Sequence, residues 1–77
     1  MNRNEIAKKV KKIAGDLYGL QPDCIEETDS FDNLGDSLDA IEMSQRLEDQ
    51  FNFRFAEDDR PKFETIGDAI NLVQKHL

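Results

Sequence analysis

Seventy-seven residues allow one small domain that buries only about 60% of the surface its unfolded chain exposes, which argues against a large catalytic cleft. The formal charge of −7 comes from 17 Asp and Glu against 10 Lys and Arg, a balance that repels nucleic-acid phosphates and attracts basic proteins. The 38% of apolar residues never approach the ~20-residue run of a membrane span, and the charged N-terminus carries no secretory signal, so the expected location is the cytoplasm.

In chain order, Ile6, Val10, Ile13 and Leu17 recur at helical spacing beside Ala7 and Ala14 and predict a first helix from about residue 4 to Tyr18. Asn4 before Glu5 suits its start, and Gly19 suits a left-handed stop. Residues 1 to 15 hold five basic side chains against one acid, whereas residues 16 to 60 hold fourteen acids against three arginines. Lys8, Lys9, Lys11 and Lys12 project mainly from the outer face of this helix and are read as a solvated face, with a partner patch as the alternative. Residues 20 to 36 form a long connection punctuated by Pro22, with Leu20, Ile25, Phe31 and Leu34 as the expected pins to the core. The single Cys24 excludes an intramolecular disulfide and a multi-cysteine metal site.

That connection runs into Leu34-Gly35-Asp36-Ser37-Leu38-Asp39-Ala40-Ile41-Glu42-Met43. Asp36 is a good N-cap, and Asp39 can answer as in a capping box, so a helix should begin at Ser37. The free amides and partial positive charge of a helix start would favour an anionic substituent on Ser37 Oγ, and Gly35 would let the turn expose that hydroxyl. A calcium loop is the competing reading of an acidic stretch ending in Gly-Asp. With Gly35 as the sixth loop position, Leu34 falls at the fifth and Ile41 at the twelfth, where oxygen ligands are required, so the pattern fails and no metal site is expected.

The second helix should extend to about Phe51, with Ala40, Met43, Leu47 and Phe51 turned inward. Leu38 and Ile41 lie on another flank beside Glu42, Gln45, Glu48 and Asp49; they either widen the core stripe or form a docking surface within an acidic face. Pro61 limits a third helix to a turn or two over Glu57 to Lys62. Phe51, Phe53, Phe55 and Phe63 fill the core or wall a cavity. Thr65-Ile66-Gly67-Asp68 opens a fourth helix, from about Ile66 to Lys75, on which Ile66, Ala69, Ile70, Val73 and Leu77 keep helical spacing. His76 is expected at a frayed surface end, without chemistry.

Gly35-Asp36-Ser37-Leu38, followed by Asp39 and Glu42, resembles the 4′-phosphopantetheine attachment site of acyl carrier proteins. Chain length, a basic first helix, the acidic helix after the serine and a last apolar helix introduced by Thr65-Ile66 extend the resemblance to free-standing bacterial carriers over essentially all of residues 1–77. It implies an all-α four-helix bundle with three longer helices and one short one, forming a single carrier domain. It implies further that a phosphopantetheinyl transferase, using coenzyme A and its own Mg2+, attaches the arm to Ser37, with Asp36 and Leu38 completing the motif. The thioester-bound cargo would then be shuttled, by a monomer, between enzymes of fatty-acid or related acyl biosynthesis. Ile41, Glu42, Gln45, Glu48 and Asp49 match the surface that basic partner enzymes recognise. Two departures stand out: the stretch from Phe31 to Ser37 is shorter than in fatty-acid carriers, and Gln45 replaces a hydrophobic residue.

Catalysis by the chain itself is not expected. Its one histidine is terminal, Cys24 has no base partner, and Ser37 is flanked by carboxylates. Two alternatives remain at this level: a specialised carrier of aminoacyl or polyketide cargo, and an unmodified acidic helical adaptor in which Ser37 only starts a helix.

Overall fold

The computed structural model describes residues 1–77. Helix α1 spans Arg3–Tyr18, α2 is a single turn at Phe31–Leu34, α3 spans Ser37–Phe51 and α4 spans Ile66–His76; short 3₁₀ segments cover Pro22–Cys24 and Glu57–Lys62. The three long helices and the short Glu57–Lys62 segment make the expected all-α bundle, with α1 packed against both α3 and α4. Pro61 lies inside the 3₁₀ segment, as its missing N–H and fixed ring require of so short a turn.

Each long helix contributes its apolar stripe to one core: Ile6, Val10 and Ala14 from α1, Met43, Leu47 and Phe51 from α3, and Ile66, Ala69, Ile70 and Val73 from α4. Ile13 and Leu17 complete the predicted stripe of α1 from its half-buried edge. Leu72 is also buried, whereas Leu77 lies beyond the helix and is exposed, so the inward face of α4 ends at Val73.

Several boundaries differ from expectation for local reasons. The cap of α1 is Asn2 rather than Asn4, because the Asn2 side chain accepts the Glu5 N–H at 2.9 Å. Gly19 ends the helix at φ 71°, the left-handed conformation glycine adopts without penalty. Of the expected loop pins, Ile25 and Phe31 are buried and Leu34 packs against the core, but Leu20 is exposed.

Backbone pairing holds the loop as well. Phe31 N–H donates to Glu64 O, Ile66 N–H to Asp29 O and Gly67 N–H to Glu27 O at 2.8–3.0 Å, so residues 27–31 lie antiparallel to 64–67. Arg3 braces the same seam with bonds to Glu27 and Asn71.

His76 is not a frayed surface residue. Its ring stacks on Phe53 with centroids 5.1 Å apart, and its Nε2 lies 2.7 Å from Asp59 Oδ2. Asp59 is fully buried; it also accepts from Lys75 Nζ at 2.8 Å and from the Ala56 N–H at 2.9 Å. This arrangement fastens the 3₁₀ segment to the end of α4. The Lys75 bond, then the His76 bond and the Ala56 amide, hold the Asp59 carboxyl well below the usual carboxylate range, against the opposing effect of burial.

A folded-state pKa below the unfolded one contributes stability that is whole above the unfolded value of about 3.9 and is lost as the pH falls below it. Thermal melts of the wild type should therefore lose stability more steeply between about pH 5 and pH 2 than melts of Asp59→Asn, which starts about 5 °C or more lower at neutral pH. Equal acid slopes would show that Asp59 is not held in its charged form.

Candidate functional site

The start of α3 is built from its own sequence. Asp36 is the N-cap, and its Oδ1 accepts the Leu38 and Asp39 N–H groups at 3.0 and 3.1 Å; Asp39 Oδ2 accepts the Asp36 N–H in return at 3.3 Å. This is the predicted capping box, and it fixes Ser37 as the first helical residue. Ser37 is exposed, and none of the three cap bonds engages its hydroxyl.

The electrostatics of this helix start differ from the sequence expectation. The amides of Leu38 and Asp39, which would otherwise greet an anion, are already occupied by the Asp36 carboxylate. Ser37 lies between the two carboxylates of the capping box, so an anion placed on its Oγ would not be cradled by the amides of Leu38 and Asp39. The residues present fit a covalently tethered group, because Ser37 is exposed and rigidly based at a capped helix start.

Gly35 serves this turn differently from expectation. Its backbone is extended, at φ −167°, a conformation open to any residue. What demands glycine is space: a Cβ there would lie 2.6 Å from Tyr18 Cε1 and 2.5 Å from Asp39 Oδ2. The ring of Tyr18, at the end of α1, thus braces the turn that presents Ser37. Tyr18 Oη is buried without a hydrogen-bond partner, and burial, followed by the charges of Asp39 and Asp36, pushes its phenol up to about 12. Sequence reasoning passed over Tyr18 as the last residue of a helix; the one available signal was an aromatic immediately before the stop glycine.

Beyond the cap, Leu38 is 71% exposed and Ile41 51% exposed, so neither widens the core stripe. Gln45 and Asp49 are exposed along the same side of α3. Glu42 is half-buried and pairs with Arg46 at 3.1 Å, and Glu48 commits one oxygen to the Phe55 N–H at 2.8 Å. The expected docking residues therefore divide into free ones and ones partly engaged within the chain. Beside them, Ala40, Ile41, Ser44, Phe55, Arg60 and Phe63 line a cleft of about 160 Å³. Phe51 is core, while Phe55 and Phe63 wall this cleft, so the phenylalanines serve both of the roles foreseen for them. No cluster of three or more His, Cys, Asp or Glu residues is arranged to hold a metal ion, and no helix is long and apolar enough to cross a membrane.

Residues 8–73 match the family model described as the phosphopantetheine attachment site. The chain is 33% identical over 78 aligned residues to an acyl carrier protein of Lactobacillus acidophilus, an alignment covering 99% of this chain and 98% of that one. Its fold matches the solved structure of the acyl carrier protein from Enterococcus faecalis with a TM-score of 0.79, at 29% identity and complete coverage of both chains. The chain belongs to the phosphopantetheine-attachment family, as an acyl carrier protein. Its cofactor is covalently attached 4′-phosphopantetheine, it interacts with acyl-processing enzymes, and it is a carrier rather than an enzyme.

Two outcomes follow from the Tyr18–Gly35 contact. Gly35→Ala should destabilise the protein by about 1–3 kcal/mol through overpacking, and adding Tyr18→Leu should recover part of that loss in a double-mutant cycle of chemical denaturation. Additive losses would mean that the ring does not set the turn. Tyr18 is the chain's only tyrosine, so its phenolate absorbance should appear with a midpoint of about 12 in the folded protein. A folded pKa above the unfolded value of about 10 contributes stability that is whole below pH 10 and declines as the pH rises through it, so alkaline melts should fall in that window and those of Tyr18→Phe should fall less.

Proposed function

We propose that Ser37 Oγ is the attachment point of the phosphopantetheine arm and that residues 1–77 act as one monomeric carrier domain in the cytoplasm. The observation that carries this reading is the exposed Ser37 hydroxyl, outside the cap bonds, at the capped start of α3 and inside the family-matched span. A phosphopantetheinyl transferase would bring coenzyme A and Mg2+; Ser37 Oγ loses its proton and displaces the adenosine bisphosphate, keeping the phosphopantetheine as a phosphodiester. The arm supplies a terminal thiol on which cargo is held as a thioester.

The chain's own residues have three tasks. Asp36 and Asp39 hold the serine at the helix start, and Leu38 offers the transferase an exposed apolar contact. Ile41, Glu42, Gln45, Glu48 and Asp49 face basic surfaces of acyl-transferring synthases, with charge setting the approach and Ile41 the buried contact. The pathway served is fatty-acid synthesis or a related acyl pathway, the role typical of the family.

Intact-protein mass after incubation with coenzyme A, Mg2+ and a broad-specificity phosphopantetheinyl transferase tests the attachment. The wild type should gain one phosphopantetheine and Ser37→Ala none, with unchanged helical circular dichroism. A gain on both proteins would place the arm elsewhere, and a gain on neither would leave Ser37 as a helix-start residue of an acidic adaptor.

A further inference from the structure

Two residues, Gly35 and Asp36, join the last residue of α2 to the first of α3, so the direction in which Ser37 leaves its turn is set at one short joint. The Gly35 N–H donates to Phe31 O at 3.0 Å and the Asp36 N–H to Asp39 Oδ2 at 3.3 Å. Gly35 itself is extended and has no side chain to anchor it. What stands against it is the ring of Tyr18: a Cβ on Gly35 would lie 2.6 Å from Tyr18 Cε1 and 2.9 Å from Cδ1. The same Cβ would lie 2.5 Å from Asp39 Oδ2, so ring and carboxylate close on the glycine together. Asp39 is one half of the capping box that makes Ser37 the first helical residue. A chain of contacts thus runs from the end of α1, through Gly35 and Asp39, to the base of Ser37.

The ring is delivered from a fixed point. Helix α1 closes with the Gly19 and Leu20 N–H groups both donating to Gly15 O, the second at 2.9 Å, and Gly19 turns the chain away at φ 71°. Tyr18 is the last residue of that helix, half-buried and packed against the core. Its hydroxyl adds no bond, because Oη is buried without a partner. An orphaned hydroxyl is a net cost to folding, so the residue acts through the area and stiffness of its ring. Burial and the charges of Asp39 and Asp36 keep the phenol neutral up to about 12, so it brings no charge to the turn.

Resting on the attachment proposed for Ser37, we propose that Tyr18 is a positioning residue for phosphopantetheine transfer: its ring, lodged against Gly35, fixes the angle at which α3 presents Ser37 Oγ to the transferase. In that transfer the Oγ–P bond forms as the pyrophosphate bond to adenosine bisphosphate breaks, and the proton leaves Oγ. Oγ must stand opposite the departing group, and a displacement of about 1 Å can cost about 100-fold in rate. Leu38 and Ile41 lie outside the Tyr18–Gly35 contact, exposed on α3. Losing the ring therefore leaves docking in place while the nucleophile arrives out of line.

Single-turnover transfer, with transferase and coenzyme A in excess and the product followed by intact mass, tests this at a temperature where circular dichroism shows each variant folded. Tyr18→Leu should lower the maximal rate about 10-fold or more while the half-saturating transferase concentration stays within about twofold, the split expected of an interaction realised only in the transition state. Tyr18→Phe, which keeps the ring, should transfer at the wild-type rate. Val73→Ala, a cavity in the fully buried face of α4, should lose stability but keep that rate. Gly35→Ala crowds the same contact from the other side and should also slow transfer; adding Tyr18→Leu to it should restore part of the rate, which keeps the test decisive should Tyr18→Leu alone not fold. A wild-type rate in Tyr18→Leu, an equal loss in Tyr18→Phe or Val73→Ala, or a double variant no faster than Gly35→Ala would overturn the positioning role alone. Failure of the wild type to accept the arm would overturn the attachment and this proposal together.

Discussion

The recurring bond of this fold is a carboxylate that accepts the backbone N–H three residues before it. Asp29 does so for Glu26, Asp39 for Asp36, Asp59 for Ala56 and Asp68 for Thr65. Each of these bonds shuts a turn at the point where a helical segment or a tight reversal begins. A chain this small has few apolar residues to pin its loops: of the dozen side chains in its core, the long connection supplies Ile25 and Phe31. Carboxylate oxygens add to that pinning, at positions where free amides would otherwise be left to water. Much of the negative charge is therefore structural before it is a partner signal.

Local bonds of this kind explain why so much was legible in the sequence. The Asp36–Asp39 and Thr65–Asp68 boxes are encoded within four residues, so the starts of α3 and α4 follow from spacing alone. The Glu57–Lys62 segment was equally readable, since Pro61 dictates its brevity. Contacts between distant residues were not readable. Residues 27–31 pair with 64–67 while Leu20 stays exposed, and no window of sequence displays either fact. His76 is held by Asp59, seventeen residues earlier, and by the ring of Phe53, so its terminal position misled.

The site divides in the same way. Ser37 and its cap were legible because helix-start chemistry is local. The consequence that Asp36 occupies the amides of Leu38 and Asp39 was not, since propensity records a preference for aspartate without recording which donors it consumes. The reason for Gly35 was also hidden. Glycine in a turn suggests unusual dihedral angles, but here the backbone is ordinary and the missing side chain makes room for Tyr18. The loop between Phe31 and Ser37 is short, and the one-turn helix α2 brings the chain to Gly35 with that ring against it.

These features set the two faces of α3 to different work. Its inner face, Met43, Leu47 and Phe51, is locked into the core, whereas Leu38 and Ile41 remain in solvent at a cost that folding alone does not recover. Glu48 joins the two faces, because its carboxylate holds the Phe55 amide and so sets one wall of the cleft from the helix that carries Ser37. Asp59 sets the opposite end of that wall by fastening it to α4. The wall of the cleft is therefore set by two carboxylate anchors, Glu48 on α3 and Asp59 on the 3₁₀ segment. A shift of α3, or of the 3₁₀ segment against α4, consequently changes the width of this cleft.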